Sequence, residues 1–148
     1  MDRQEAIEFL LEHYEAPRNK GPLPDADVVL PGGNPGCGDV VTIYLKVNRH
    51  QDAVERVSFE GEGCTISQAA ASILTELAQE KPLSEIEGMD YNDMIDILGR
   101  EVVQSRPRCA TLALGTIKAA IKKYRRDRIR EELGEGAPVE DVPERFEI

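Results

Sequence analysis

Three cysteines and one aspartate carry most of the chemistry this sequence could perform: Cys37 and Asp39 in NPGCGDVV, Cys64 in GEGCTIS, and Cys109 in SRPRCATL. Each thiol falls at a boundary between expected elements, whereas cysteines acting as small hydrophobes more commonly occupy core-facing positions inside helices or strands. Cys64 and Cys109 stand where helices should begin, and a helix N-terminus presents unpaired N–H groups and a positive partial charge that favour thiolate over thiol. The glycines around Cys37 let its backbone approach another group closely. In an extended chain Asp39, two residues on, projects to the same side as Cys37. Three thiolates and a carboxylate make a four-coordinate set for zinc or iron–sulfur chemistry. A hard oxygen among soft sulfurs implies weaker retention and easier exchange than a fourth cysteine or a histidine would give. The separations of 27 and 45 residues match no paired-cysteine metal motif. From the residues alone, a metal site and three scattered small hydrophobes therefore both stand. A cysteine hydrolase is disfavoured, because neither His13 nor His50 is placed as a base for a thiol.

The elements that must position these residues follow from periodicity. Ile7, Leu10, Leu11 and Tyr14 predict a short amphipathic helix ending before Pro17. Residues 15–36 hold five prolines and four glycines, a loop with one short extended piece at Val28 to Leu30. Val41, Ile43, Leu45 and Val47 alternate with polar positions as in a half-buried strand, NRHQD reads as a turn containing His50, and Val57 and Phe59 mark an antiparallel partner. After Gly63 the period changes: Ile66, Ala69, Ala70, Ile73, Leu74 and Leu77 predict a helix over about 65–80. Short helices are expected at 84–87 and 91–98. A long one starts near Pro107, with Ser105 as a cap, and its buried stripe runs from Ala110 to Tyr124. The order of elements predicts an α+β fold, a small antiparallel sheet with helices packed on one face.

A chain of 148 residues with 41% hydrophobic content fits one compact domain. The formal charge of −10 argues against binding nucleic acid or an anionic membrane. That charge is unevenly spread: residues 131–148 carry −6, so the expected organisation is a folded domain over 1–130 and an acidic, flexible tail over 131–148. No apolar run is long enough to span a bilayer and the start is charged, so a cytoplasmic location is expected. Three cysteines cannot all pair, which argues against disulfide stapling. The basic end of the last helix, Lys122 to Arg130, reads as a solvated face or a surface for an acidic partner.

HYEAPRNKG at 13–21, NPGCGD at 34–39, GCTISQAAAS at 63–72 and RPRCATL at 106–112 together resemble the U-type iron–sulfur cluster scaffold family, IscU and SufU, with the NifU N-terminal domain. The resemblance runs in order from about residue 5 to residue 125. It implies a non-enzymatic scaffold that accepts sulfur from a cysteine desulfurase, assembles a transient [2Fe-2S] cluster and passes it to apo-proteins or carriers. The family's ligands carry over onto Cys37, Asp39, Cys64 and Cys109, a site that can also hold Zn2+ or Fe2+. Cys109, near Arg106 and Arg108, and Cys37, on its turn, are the candidate persulfide acceptors. Two departures bear on the branch. Arg108 stands where IscU-type members have a histidine beside the third cysteine, and EVVQS replaces the chaperone-binding LPPVK-like segment. Arg106 in RPRCATL resembles SufU, a zinc-bearing persulfide acceptor that stimulates its desulfurase, yet the gap between Cys64 and Cys109 is short for that branch. Pro17, Arg18 and Asn19 read as structural or docking residues, with structure favoured, and His13 as a residue that fixes their loop rather than binding metal. Oligomeric state is open.

Overall fold

The computed structural model describes residues 2–36 and 38–148. Among these, α1 (Arg3–Glu15) leads through a proline-rich loop to a hairpin of β1 (Val28–Asn34) and β2 (Asp39–Asn48), followed by β3 (Ala53–Glu62). Then come α2 (Thr65–Ala78), the short helices α3 (Leu83–Glu87), α4 (Tyr91–Leu98) and α5 (Arg100–Val103), the long α6 (Pro107–Leu133) and β4 (Phe146–Glu147). The α+β class is as expected. The sheet, however, is mixed: its order is β3-β2-β1-β4, antiparallel across the first three strands and parallel between β1 and β4.

Strand β2 alternates strictly, with Asp39, Val41, Ile43, Leu45 and Val47 buried and the residues between them half-exposed. The helices cover the buried face. α6 lies along β1 and β2, while α2 lies along β3 and against α6. Phe59, Leu30, Ile43, Leu45, Leu114, Ile117 and Ile121 are fully enclosed in the resulting core. The register pairs Asn34 with Asp39 and Val40 with Glu62, so the end of β1, the start of β2 and the end of β3 meet at one end of the sheet.

Several expectations shift. β1 runs through Pro31, Gly32 and Gly33, residues that read as strand breakers. Gly32 is needed there because a Cβ would collide with the Thr116 side chain of α6, and Pro31, which faces Thr42 of β2 on one side, has no paired residue on its other side among the described residues, where β4 reaches only Gly32 and Gly33. The N-cap of α6 is Arg106 rather than Ser105, with no side-chain capping bond. The division expected at 130/131 falls inside α6, and the chain end returns to the sheet as β4. Of the basic stretch, Arg125 is committed internally, pairing with Glu87 at 2.7 Å and Asp52 at 3.2 Å. No helix among the described residues is long and apolar enough to cross a membrane.

In α1 the buried line is Ala6, Leu10 and His13, while Leu11 and Tyr14 are largely exposed. The small side chains Ala69, Ala70 and Ser72 of α2 are buried close by, and His13 Nδ1 lies 2.8 Å from Ser72 Oγ. The same Oγ accepts the backbone N–H of Arg18 at 2.8 Å. The Asn19 side chain donates to Thr75 Oγ1 at 3.4 Å, so His13, Arg18 and Asn19 pin the loop after α1 onto α2, as their structural reading required. His50 lies in the β2–β3 turn, where its N–H donates to Asn48 Oδ1 at 3.1 Å.

Burial, then the nearby Arg18 guanidinium, holds the His13 imidazole below its usual range, against smaller opposing effects of Glu76 and Glu12. A group whose folded form resists protonation binds more protons unfolded, so stability is present above the ordinary histidine value and is lost as pH falls through it. Urea unfolding should therefore show stability dropping as pH falls below about 6.5, by at most about 1.4 kcal/mol per pH unit. His13→Gln should flatten the profile below that value and above the carboxylate range.

Candidate metal and thiol site

The end of the sheet where β1, β2 and β3 converge is also where α2 and α6 begin. Asp39 opens β2 and is buried at 2% exposure. Cys64 is the N-cap of α2, half-buried, and its own side chain makes no capping bond. Cys109 lies in the first turn of α6, three residues after the Arg106 cap, and is 3% exposed. Three elements distant in sequence thus deliver two sulfurs and a carboxylate to one place.

Asp39 joins them. Its Oδ1 accepts the backbone N–H of Cys64 at 2.8 Å, and its Oδ2 accepts the Cys109 thiol at 2.9 Å. Cys64 Sγ lies 3.6 Å from the same Oδ2. The carboxylate oxygen and both sulfurs fall within 4.8 Å of one another. Tetrahedral zinc, with bonds of about 2.0 to 2.3 Å, keeps its ligand atoms roughly 3.5 Å apart. The described donors fit such an ion with small shifts, the Cys109 thiol giving up its proton in exchange. Gly63 makes the arrangement possible. It holds φ at +147°, and a Cβ there would run into the Asp39 carboxylate, its Cγ lying 2.9 Å away.

Cys37 lies outside the described residues, so the structure brings together three of the four expected ligands. Of the described residues on either side, the Asn34 carbonyl accepts the Gly38 N–H at 2.9 Å and Asn34 Oδ1 accepts the Gly36 N–H at 3.2 Å. Arg106 and Arg108 are exposed and line, with Asn34, Gly36, Ser105, Pro107 and Cys109, an open cavity of about 490 Å³.

Three residues not singled out from the sequence also shape the site. Ser67 Oγ lies 3.8 Å from Cys64 Sγ and donates to the Cys64 carbonyl at 3.1 Å. Gln68 donates to Ser67 Oγ at 3.2 Å and to the Val40 carbonyl at 3.5 Å, fixing α2 against the start of β2. Asn34 pairs with Asp39 across the hairpin. Ser67 and Gln68 stand three and four residues after Cys64, one helical turn on, and that spacing is the signal by which they could be found.

Comparison with known proteins bears directly on these residues. The NifU-like N terminal domain matches residues 6–131, a span that holds every residue of the site. The chain belongs to this family. The iron-sulfur cluster assembly scaffold protein IscU of Aquifex aeolicus is 39% identical over 117 residues, covering 79% of this chain and 74% of that one. The zinc-dependent sulfurtransferase SufU of Bacillus subtilis is 35% identical over 133 residues, covering 78% of this chain and 88% of its own length. Among solved structures, a putative iron-sulfur cluster assembly scaffold protein for the SUF system from Fervidobacterium islandicum superposes with a TM-score of 0.65 at 28% identity, covering 77% of this chain and 94% of that one. A NifU-like N-terminal protein from Brucella abortus, 18% identical, shares the fold with a TM-score of 0.68, covering 84% of this chain and 98% of that one. The family match stops just short of the end of α6, so residues 132–148 lie beyond it.

Proposed function

We propose that this chain is an iron–sulfur cluster assembly scaffold. It would accept sulfur from a cysteine desulfurase, build a [2Fe-2S] cluster on Cys37, Asp39, Cys64 and Cys109, and hand it to apo-proteins or carriers. The observation that carries this reading is the Asp39 carboxylate shared by Cys64 and Cys109 from three separate elements, beside an open cavity. A site for permanent retention would use four soft donors in a closed shell, whereas this one mixes a hard oxygen with sulfurs at the molecular rim. The scaffold unit is taken as residues 1–130, with 131–148 as an acidic extension. Free thiols and a labile cluster need a reducing compartment, and the cytoplasm supplies one.

In the sulfur-accepting step a cysteine thiolate of the scaffold attacks the terminal sulfur of the desulfurase persulfide. The donor's S–S bond breaks, its thiolate leaves, and a new persulfide forms on the scaffold cysteine. Cys109 is the candidate on the cavity wall, and Asp39 is positioned to take its proton.

A second reading is a zinc-dependent persulfide acceptor that relays sulfur and activates the desulfurase. It would then be a sulfurtransferase rather than a scaffold. Arg108 favours it, since an arginine supplies no further ligand beside Cys109. Anaerobic reconstitution with desulfurase, cysteine and ferrous iron separates the two. Visible absorbance from a cluster that transfers to an apo-ferredoxin is the expected result. Tight zinc with persulfide transfer and no cluster would establish the relay instead.

A further inference from the structure

The C-terminal residues supply an observation that the proposed function leaves unused. After α6 ends at Leu133 the chain doubles back along the helix: Glu140 pairs with Lys122 at 3.6 Å, and the Val142 carbonyl accepts from the Arg126 guanidinium at 3.5 Å. It then enters the sheet. Phe146 and Glu147 pair in parallel with Gly32 and Gly33, and the Ile148 N–H donates to the Gly33 carbonyl at 3.2 Å. The Phe146 ring fills the notch left by Gly115 of α6, where the three atoms nearest to an added Cβ all belong to that ring. Arg145 lies over Gly33 in the same way.

This contact joins the two walls of the cavity beside Cys109. One wall is Asn34 and Gly36, continuing directly from the stretch of β1 that β4 holds; the other is the first turn of α6, six residues before Gly115. The Phe146 ring packs on α6 at Gly115 while its backbone pairs with Gly32, so the segment braces, from the sheet edge, the direct contact that Gly32 makes with Thr116. β1 is also the sheet edge that would otherwise be open, and an unpaired edge presents N–H and C=O groups to foreign pairing. The attachment is small: two paired residues, the Phe146 ring, the Ile148 N–H and two polar contacts with α6, Glu140 with Lys122 and the Val142 carbonyl with Arg126. It is the kind of contact that opens locally without unfolding the domain.

We infer that residues 134–148 form a clasp that closes β1 onto α6 and thereby limits access to the Cys109 thiol. Opening the clasp widens the cavity at the sulfur that the scaffold reading makes a persulfide acceptor. The inference concerns access in the metal-free chain, so it can fail while the scaffold reading survives.

The test is peptide-resolved alkylation of the metal-free, reduced chain of residues 1–148 by iodoacetamide at a single pH, with hydrogen exchange measured in parallel. Phe146→Ala and Gly115→Ala attack the same contact from opposite sides. Each should speed alkylation of Cys109 by about tenfold and strip protection from residues 134–148 and β1 while leaving α2 and β3 protected. The double variant should be no faster than either single one, because both remove one interaction. A chain ending at Leu133 should match them. Unchanged alkylation, additive effects, or loss of protection spread evenly through α2 and β3 would overturn the inference, the last because it reports mere destabilisation.

Discussion

Cys109→Ser should weaken zinc binding by at least about a hundredfold while leaving the fold intact. The serine hydroxyl is smaller than a thiol but can still donate to Asp39 Oδ2, so the buried carboxylate keeps a partner and the start of α6 keeps its contact with β2. What is lost is a soft, readily deprotonated ligand, since an alcohol does not ionise near neutral pH and holds zinc poorly. Cys64→Ser should lose a comparable amount, because its sulfur stands 3.6 Å from the same oxygen. Competition with a chromophoric chelator at pH 7.5 measures both affinities. Binding by the wild-type chain should also release protons, including the one Cys109 donates to Asp39, so affinity should fall steeply as pH drops. A Cys109→Ser protein that held zinc as tightly as the wild type would place the metal away from these three groups.

Much of this site is legible in the sequence because its members mark element boundaries. Cys64 follows the glycine where period two gives way to period three-and-a-half, and Cys109 follows Pro107, a residue suited to a first helical turn. Positions fixed by backbone punctuation can be read locally. Which boundaries meet in space cannot, and it is the register pairing Asn34 with Asp39 and Val40 with Glu62 that brings them together. The same distinction explains the departures. Pro31, Gly32 and Gly33 have no strand propensity of their own, and they are strand because α6 needs a close approach at Gly32. α1 offers apolar residues on more than one side, and its buried line through Ala6, Leu10 and His13 is chosen by its packing against α2. β4 is two residues long, too short for any alternation, and exists through the fit of Phe146 against Gly115. Each of these is decided by a partner many residues away, which no local pattern records.

Asp39→Ala should lengthen the lifetime of a cluster assembled on the scaffold and slow its transfer to an apo-ferredoxin, by about tenfold or more. The reason lies in the donor set. A carboxylate is the hardest ligand available and the easiest for an incoming thiolate to displace, so it is the place where an acceptor protein would begin ligand exchange. Without it, an acceptor must first displace a sulfur. Alanine also has a structural cost, because Asp39 is buried and accepts the Cys64 N–H. Leaving that donor unsatisfied costs about 1–3 kcal/mol and loosens the start of α2. A loosened site would release its cargo faster, so the two effects oppose each other and the direction of the change discriminates between them. Asp39→Asn separates them further: its carbonyl oxygen can still accept from Cys64, while the neutral amide is a poorer ligand than a carboxylate. Slow transfer in both variants, with Asn the more stable in urea, is the outcome that an exchange role requires. If both variants released cluster at the wild-type rate, the carboxylate would serve only to join α2 and α6 to the sheet, and the exchange point would have to lie at one of the sulfurs.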